Sequence, residues 1–421
     1  MKYFNTHNLT ALLFIIPLSF IAGIAVTEFF VFSCIMFFLI LNKDKSLFID
    51  KKVIFLFLFS AFIFINTYFR ISDDLKLGPI FYFRYILFSL AIFYFCNLFN
   101  EYKNKKYFFL LIFFLLILLI DSIFQFFIGF NILGYKITSG RVSSFFNDEL
   151  ILGSYLVRVM PIILWFVFFL RINLKKNIFP IVTFFSLYFI TIYLSGGRTS
   201  FFLWVITILG LLIVIKDLRK ILLYSITVLI FFIFVTSHFK LGNENPFHRL
   251  FIKTSKQITK IEINNKKTDT SISISNKFNL YSKEHEGHIL LALKLFDENK
   301  IFGIGPQGFK YYCKKVNYSP ETGICSTHPH NILIQIILEL GLIGLFFYII
   351  AAVFVLFNFF KSIFKRKFNE NYLSFYTITL GLIINLFPFV PGGNFFNNWI
   401  SIILYYNIGL YMYSYKNCIL K

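Results

Sequence analysis

The chain reads as an all-α polytopic membrane protein, with about twelve transmembrane helices and one large outer loop between the ninth and tenth. Three observations predict that class. Of 421 residues, 58% are hydrophobic and 63 are Phe, and the mean hydropathy is +0.74, more apolar surface than a soluble domain can bury. The apolar residues gather in runs near the roughly 20 residues that a helix needs to cross hydrocarbon. Basic residues then follow every second run.

In chain order the runs are 10–25, 27–41, 53–69, 79–97, 107–128, 151–171, 178–194, 200–215, 220–237, 331–359, 373–390 and 396–414. The first follows a short polar start without a small-residue cleavage site, so it is expected to be a retained helix and not a removed signal peptide. Lys43, Lys45, Lys51 and Lys52 follow the second run, and Lys103, Lys105 and Lys106 the fourth. Arg171, Lys175 and Lys176 follow the sixth, Lys216, Arg219 and Lys220 the eighth, and Lys361, Lys365, Arg366 and Lys367 the tenth. The positive-inside rule places those loops and both termini in the cytoplasm. The net charge of +21 therefore tracks the membrane. Membrane lipids are the expected partners of these charges, and nucleic acid is not.

The chain divides into residues 1–237 with helices one to nine, an outer loop subdomain at 238–330, and residues 331–421 with helices ten to twelve and a cytoplasmic C-terminus. In a bacterial envelope the outer loop is periplasmic. About 90 residues are too many for an idle connection. Asn264 to Asn279 is polar and expected to be mobile. His288 to Phe296 has helical spacing, and Gly303-Ile304-Gly305-Pro306-Gln307-Gly308-Phe309 follows as a glycine-punctuated turn. Such a turn either connects tightly or turns backbone N–H groups, with Gly305 at its centre, toward an anion. Cys313 and Cys325 fall in this loop and are expected to pair in an oxidising compartment. Cys34, Cys96 and Cys418 lie in or beside spans, where a small buried hydrophobe is the default.

Several polar groups gather on the outer side. Thr327-His328-Pro329-His330-Asn331 directly precedes the tenth span, and imidazole is the side chain that exchanges a proton near neutral pH. The alternative is a pair of interfacial helix-start histidines. Ser195-Gly196-Gly197-Arg198-Thr199-Ser200 turns sharply into the eighth span, and Arg198 reads either as a phosphate clamp or as a snorkelling anchor. Arg249, just beyond the ninth span, is a second basic group that with Arg198 could grip a diphosphate. Arg141 precedes the sixth span beside Asp148 and Glu149. A salt bridge is the simpler expectation there, and carboxylates that bind sugar hydroxyls are the other. Glu339 lies inside the tenth span, where a carboxylate needs a partner such as Arg158 or a chemical role. Gly341 and Gly344 read as packing glycines.

With these residues in view, the chain resembles the O-antigen ligase and polymerase superfamily. The resemblance is most specific from Gly303 to Gly344, in the His-Pro-His-Asn element and the Glu-Leu-Gly-Leu-Ile-Gly run after it. It implies a metal-independent glycosyltransferase of the bacterial inner membrane, with no cofactor. The donor it implies is a glycan on undecaprenyl diphosphate, and the acceptor lipid A-core or another glycan. Carried onto this sequence, His330 is the catalytic base and Arg198 a catalytic clamp, with Arg249 or Lys253 as the second. His328, Asn331, Gly305, Arg141, Asp148 and Glu149 become substrate-binding candidates. One departure stands out: many relatives carry an arginine ahead of the loop helix, where this chain has Glu284-His285-Glu286-Gly287-His288. The alternatives are a polymerase, a protein O-oligosaccharyltransferase and a transporter. The last is disfavoured because no repeat joins the halves and the polar groups gather on one face.

Overall fold

The computed structural model describes residues 6–70, 77–99, 101–176, 178–238, 245–258, 283–315, 326–364 and 369–418. Each of the twelve apolar runs falls on a helix, because a chain in hydrocarbon must satisfy its backbone polar groups internally. The helices are α1 (Leu12–Ser19), α2 (Ile24–Leu41), α3 (Lys51–Arg70), α4 (Phe83–Asn97), α5 (Glu101–Ile128) and α6 (Leu152–Phe169). They continue with α7 (Ile178–Leu194), α8 (Arg198–Val214) and α9 (Lys216–His238). The outer segment adds α10 (Lys283–Glu298) and α11 (Gly308–Lys315), before α12 (Ile332–Phe364), α13 (Glu370–Asn385) and α14 (Asn398–Cys418). Among the described residues six helices are long and apolar enough to cross a membrane, namely α2, α3, α5, α6, α9 and α12. The chain is thus an all-α multi-pass membrane protein.

Helix α6 is the axis of the bundle. It is buried along nearly its whole length, and α13 packs along it with Gly381 facing Pro161. Helix α14 packs on α4 in the same way. Peripheral helices instead expose large apolar side chains such as Phe29, Phe32, Phe69, Phe113 and Phe231, the surface that lipid covers. A separate small core of Leu291, Leu295, Ile304, Phe309, Cys313 and Leu338 joins α10 and α11 to the start of α12. Cys313 is buried there, while its expected partner Cys325 lies outside the described residues.

Contacts across the bundle sort the helix ends into two faces. At one, Arg171 pairs with Glu370 at 3.0 Å and Lys175 with Asp217 at 3.1 Å, joining loops that the charge rule puts on one side. At the other, Arg84 pairs with Glu28 at 3.0 Å, and Arg70 donates to Asn299 Oδ1 at 3.1 Å. The candidate site residues lie at this second face.

Helix α12 is not continuous, and its break positions the outer segment. Gly341 has φ 65° and ψ −162°, a region open essentially only to glycine. A regular helix would bond Leu342 N–H to Leu338 O and Ile343 N–H to Glu339 O. Here all four groups turn to residues 300–305 instead. Leu342 N–H donates to Lys300 O at 2.9 Å and Ile343 N–H to Ile301 O at 3.4 Å, while Leu338 O accepts from Ile304 N–H and Glu339 O from Gly305 N–H, both at 2.9 Å. The backbone groups lost to the helix are therefore repaid within the protein, which is the condition for irregular backbone at membrane depth. A Cβ on Gly341 would meet the backbone of Ile301 and Gly303, and one on Gly303 the backbone of Leu338 and Glu339. Packing alone, the role expected for Gly341, does not describe it. Gly344 does face a side chain, that of Leu340.

Candidate active site

The Gly303–Phe309 turn is a connector. Gly305 spends its N–H on Glu339 O, so it does not aim that donor at an anion as a substrate-binding residue would. The Glu339 side chain completes the joint: Oε2 accepts from Gln307 N–H at 3.0 Å and Oε1 from Phe309 N–H at 3.4 Å. Those N–H groups belong to the start of α11, where a carboxylate is favoured. Gln335 Nε2 also donates to Glu339 Oε2 at 3.0 Å. Arg158, the partner expected from sequence, bonds to Ser154 and lies over the Trp399 ring at 5.6 Å.

Gln335 extends this network to the loop between α13 and α14. Its amide donates to Asn394 Oδ1 at 2.8 Å and accepts from Phe395 N–H at 2.9 Å. That loop then clamps both motif histidines through one residue. Gly392 N–H donates to His330 O at 2.7 Å, and Gly392 O lies 3.1 Å from His328 Nε2. A carbonyl only accepts, so His328 carries its proton on Nε2, and Nδ1 accepts from Thr327 Oγ1 at 3.0 Å. Asn331, expected to bind substrate, is instead the N-cap of α12. Its Oδ1 accepts from Ile334 N–H at 3.0 Å and its Nδ2 donates to Pro388 O at 2.8 Å; such a cap is worth about 1 kcal/mol.

His330 is half-buried with φ 58°, a conformation that L residues adopt only under constraint. Its Nε2 lies 2.8 Å from Ser326 Oγ. Three further imidazoles surround it, with ring centroids at 4.2 Å for His328, 4.8 Å for His285 and 5.5 Å for His288. Burial first, then the like charges of His328, His285 and His288, push its pKa down to about 3. His328 is pushed down to about 4, mainly by burial, with the Gly392 bond acting the other way. The rings do not converge as metal ligands, since no group of three or more His, Cys, Asp or Glu among the described residues could hold a metal ion. Sequence reading missed His285 and His288 as site residues. Their spacing of three on a helix, which puts both on one face, was the available signal.

The second cluster is built on the Ser195–Gly197 turn. Arg141 Nε donates to Ser195 O at 2.9 Å and its Nη2 to Leu150 O at 2.8 Å. Arg249 donates to Gly196 O at 3.1 Å and to Ser139 O at 2.6 Å. Arg198, exposed at the start of α8, donates to Gln257 Oε1 at 2.6 Å from the short helix Lys253–Ile258. A Cβ on Gly196 would stand 3.2 Å from Arg249 Cδ and 3.3 Å from Arg141 Cγ, so glycine is what lets two guanidinium stems pass the turn. Burial, and then the charge of Arg249, lowers the Arg141 pKa to about 10, which still leaves it cationic at neutral pH.

The salt bridge expected for Arg141 is absent among the described residues, because its guanidinium is taken by backbone carbonyls. Asp148 and Glu149 face elsewhere. They lie exposed on a groove of about 1140 Å³ that runs down between apolar side chains including Leu18, Leu110 and Phe114, with Trp399 on its wall. Asp121 and Gln125 of α5, unremarked in the sequence, hold the loop that carries Arg141. Asp121 accepts from Ile132 N–H at 2.8 Å and from Ser144, and Gln125 Oε1 accepts from Ser143 and Ser144 N–H at 3.0 and 2.7 Å.

Residues 181–349 match the family model described as O-Antigen ligase. The matched stretch contains Arg198, Arg249, His285, His288, His328, His330 and Glu339. The resemblance read from the motifs is thereby borne out. No curated protein matches the chain.

Proposed function

On the premise that residues 181–349 carry the O-antigen ligase family's match, we propose that this multi-pass protein is a glycosyltransferase of the bacterial inner membrane. It spans the bilayer about twelve times, with the outer segment 238–330 in the periplasm. It moves a glycan from undecaprenyl diphosphate to lipid A-core. The observation that carries the reading is that an arginine-lined turn and a clustered, half-buried histidine both fall within the matched stretch.

Each part has a chemical task. The bond between the sugar anomeric carbon and the phosphate oxygen breaks, and its electron pair leaves with the diphosphate. Arg198 and Arg249 neutralise that growing charge, with the half-buried Arg141 fixing the turn between them. The acceptor hydroxyl oxygen bonds to the anomeric carbon and gives its proton to His330, which later passes it to water. Ser326 Oγ occupies the place at His330 Nε2 that the acceptor hydroxyl takes over. Asp148 and Glu149 bind hydroxyls of the acceptor at the mouth of their groove.

A gene-disruption strain tests this. Its lipopolysaccharide is expected to run as unmodified core while glycan accumulates on the carrier, and the wild-type gene restores the ladder. Core bearing a single unit would make the chain a polymerase instead. An unchanged ladder and carrier pool would overturn both readings.

A further inference from the structure

The four-histidine cluster contains more imidazoles than a single base requires. His285 and His288 come from α10, His328 and His330 from the segment before α12, and three of the rings lie within 5.5 Å of the fourth. Among the described residues, helix α10 offers His285, His288 and Glu286, the 326–331 segment offers His328, and the loop between α13 and α14 offers the backbone of Gly392. Glu339 is turned away to Gln307, Phe309 and Gln335. Among the described residues, the charges that act on His330 are those of the three other histidines.

A proton placed on His330 would therefore meet a half-buried ring and three potential like charges. We infer that His285 and His288 are positioning residues that keep His330 uncharged, so that its lone pair stays available to an acceptor hydroxyl even when the outer compartment turns acid. The inference rests on the glycosyl-transfer reading for its purpose but not for its measurement. A base held so weakly basic still serves here, because a diphosphate leaves readily and the hydroxyl proton is needed only late in the step. The same crowding makes the imidazolium short-lived once formed, which returns the base to its working state. His328 is fixed by Gly392 and Thr327, and its part is to hold the ring stack in place.

The direct test is nitrogen NMR of the full chain in lipid nanodiscs, with ¹⁵N-histidine and with His330→Gln to assign the His330 signals. In the wild type, His330 is expected to remain neutral at about pH 5, where an ordinary histidine is mostly protonated. In the double variant H285F/H288F, which keeps aromatic bulk but removes both titrating groups, its midpoint should rise by about half a unit or more. The acid limb of transfer should move up the pH axis by the same interval. Should the double variant fail to fold, H285Q and H288Q singly are expected to move the midpoint in the same direction by less. An imidazolium at His330 in the wild type near pH 5, or a midpoint that none of the folded variants moves, would overturn the inference. A shifted midpoint in a protein that transfers no glycan would leave it standing and refute the glycosyl-transfer reading.

Discussion

The arginine turn and the histidine cluster are both made of basic residues at the same face, yet they treat charge in opposite ways. Around Gly196 the guanidinium groups of Arg141 and Arg249 are permanently charged and are held by the carbonyls of Ser195, Leu150, Gly196 and Ser139. Carbonyl dipoles position a cation without neutralising it, so the turn keeps its pull on an anion. Around His330 burial and mutual repulsion remove charge, leaving lone pairs in place of cations. Leaving-group neutralisation needs the first environment and proton acceptance the second. Residues of one chemical class serve both tasks because the backbone places them among different neighbours.

His330→Ala should break the comparison most completely. Transfer is expected to fall about 10²- to 10⁴-fold, the range for loss of a general base, while immunoblots of the membrane fraction show normal insertion. His330→Ala with near-normal turnover would remove the residue from the chemistry. At the other cluster, Arg198→Lys and Arg249→Lys keep the charge but lose the planar fork. A fall of about 10- to 100-fold in transfer is expected for each. Arg249→Lys should be the more damaging to the turn, because Gly196 O and Ser139 O both lose a donor. If either lysine variant matches the wild type, bidentate geometry is not what the turn supplies.

These two clusters were unequally legible in the sequence. Arg198 and His330 could be named because each sits in a short local motif, one beside a glycine turn and one before a helix. Asn331 is legible as a helix cap, because an Asn directly before an apolar run marks a helix start. The joint at Gly341 was hidden for another reason. Its partners lie about 40 residues upstream, and nothing in the run Glu339-Leu340-Gly341 says that a helix gives up two bonds to pair with residues 300–305. His285 and His288 were hidden in the same way, since their meeting with His330 depends on that joint bringing α10 back against α12.

The joint itself is open to a stability test. Gly341→Ala forces a Cβ into the backbone of Ile301 and Gly303 at a φ, ψ pair that alanine avoids. The backbone strain alone is worth about 1–3 kcal/mol, and the thermal midpoint should drop by several degrees in a scanning assay in detergent. Gly344→Ala meets Leu340 Cβ, which cannot swing away, but it lacks the positive φ of Gly341 and should cost less by that backbone strain. Equal midpoints for the two variants would mean that the break is not under the constraint described. Both clusters ought to lose activity together in Gly341→Ala only if the outer segment is a shared support; loss at the histidines alone would limit the joint's influence to α10 and the 326–331 segment.

The smallest effect separates the clusters by pH. His330 and His328 have folded-state pKa values below the ordinary histidine value, at about 3 and about 4. Between those values and about 6.5 the opened segment binds protons that the closed one refuses. Their contribution to closure is therefore complete above about pH 6.5 and is lost as the pH falls toward the folded values. Arg141 at about 10 stays charged through that whole window, so the turn has no such dependence. Hydrogen exchange followed by mass spectrometry, corrected for intrinsic rates, should show the 326–331 segment losing protection between about pH 7 and about pH 5. The peptide across Ser195–Gly197 should hold steady. Equal loss in both segments would point to general loosening of the outer face, and no loss in either would mean that the histidines take up protons without opening the fold around them.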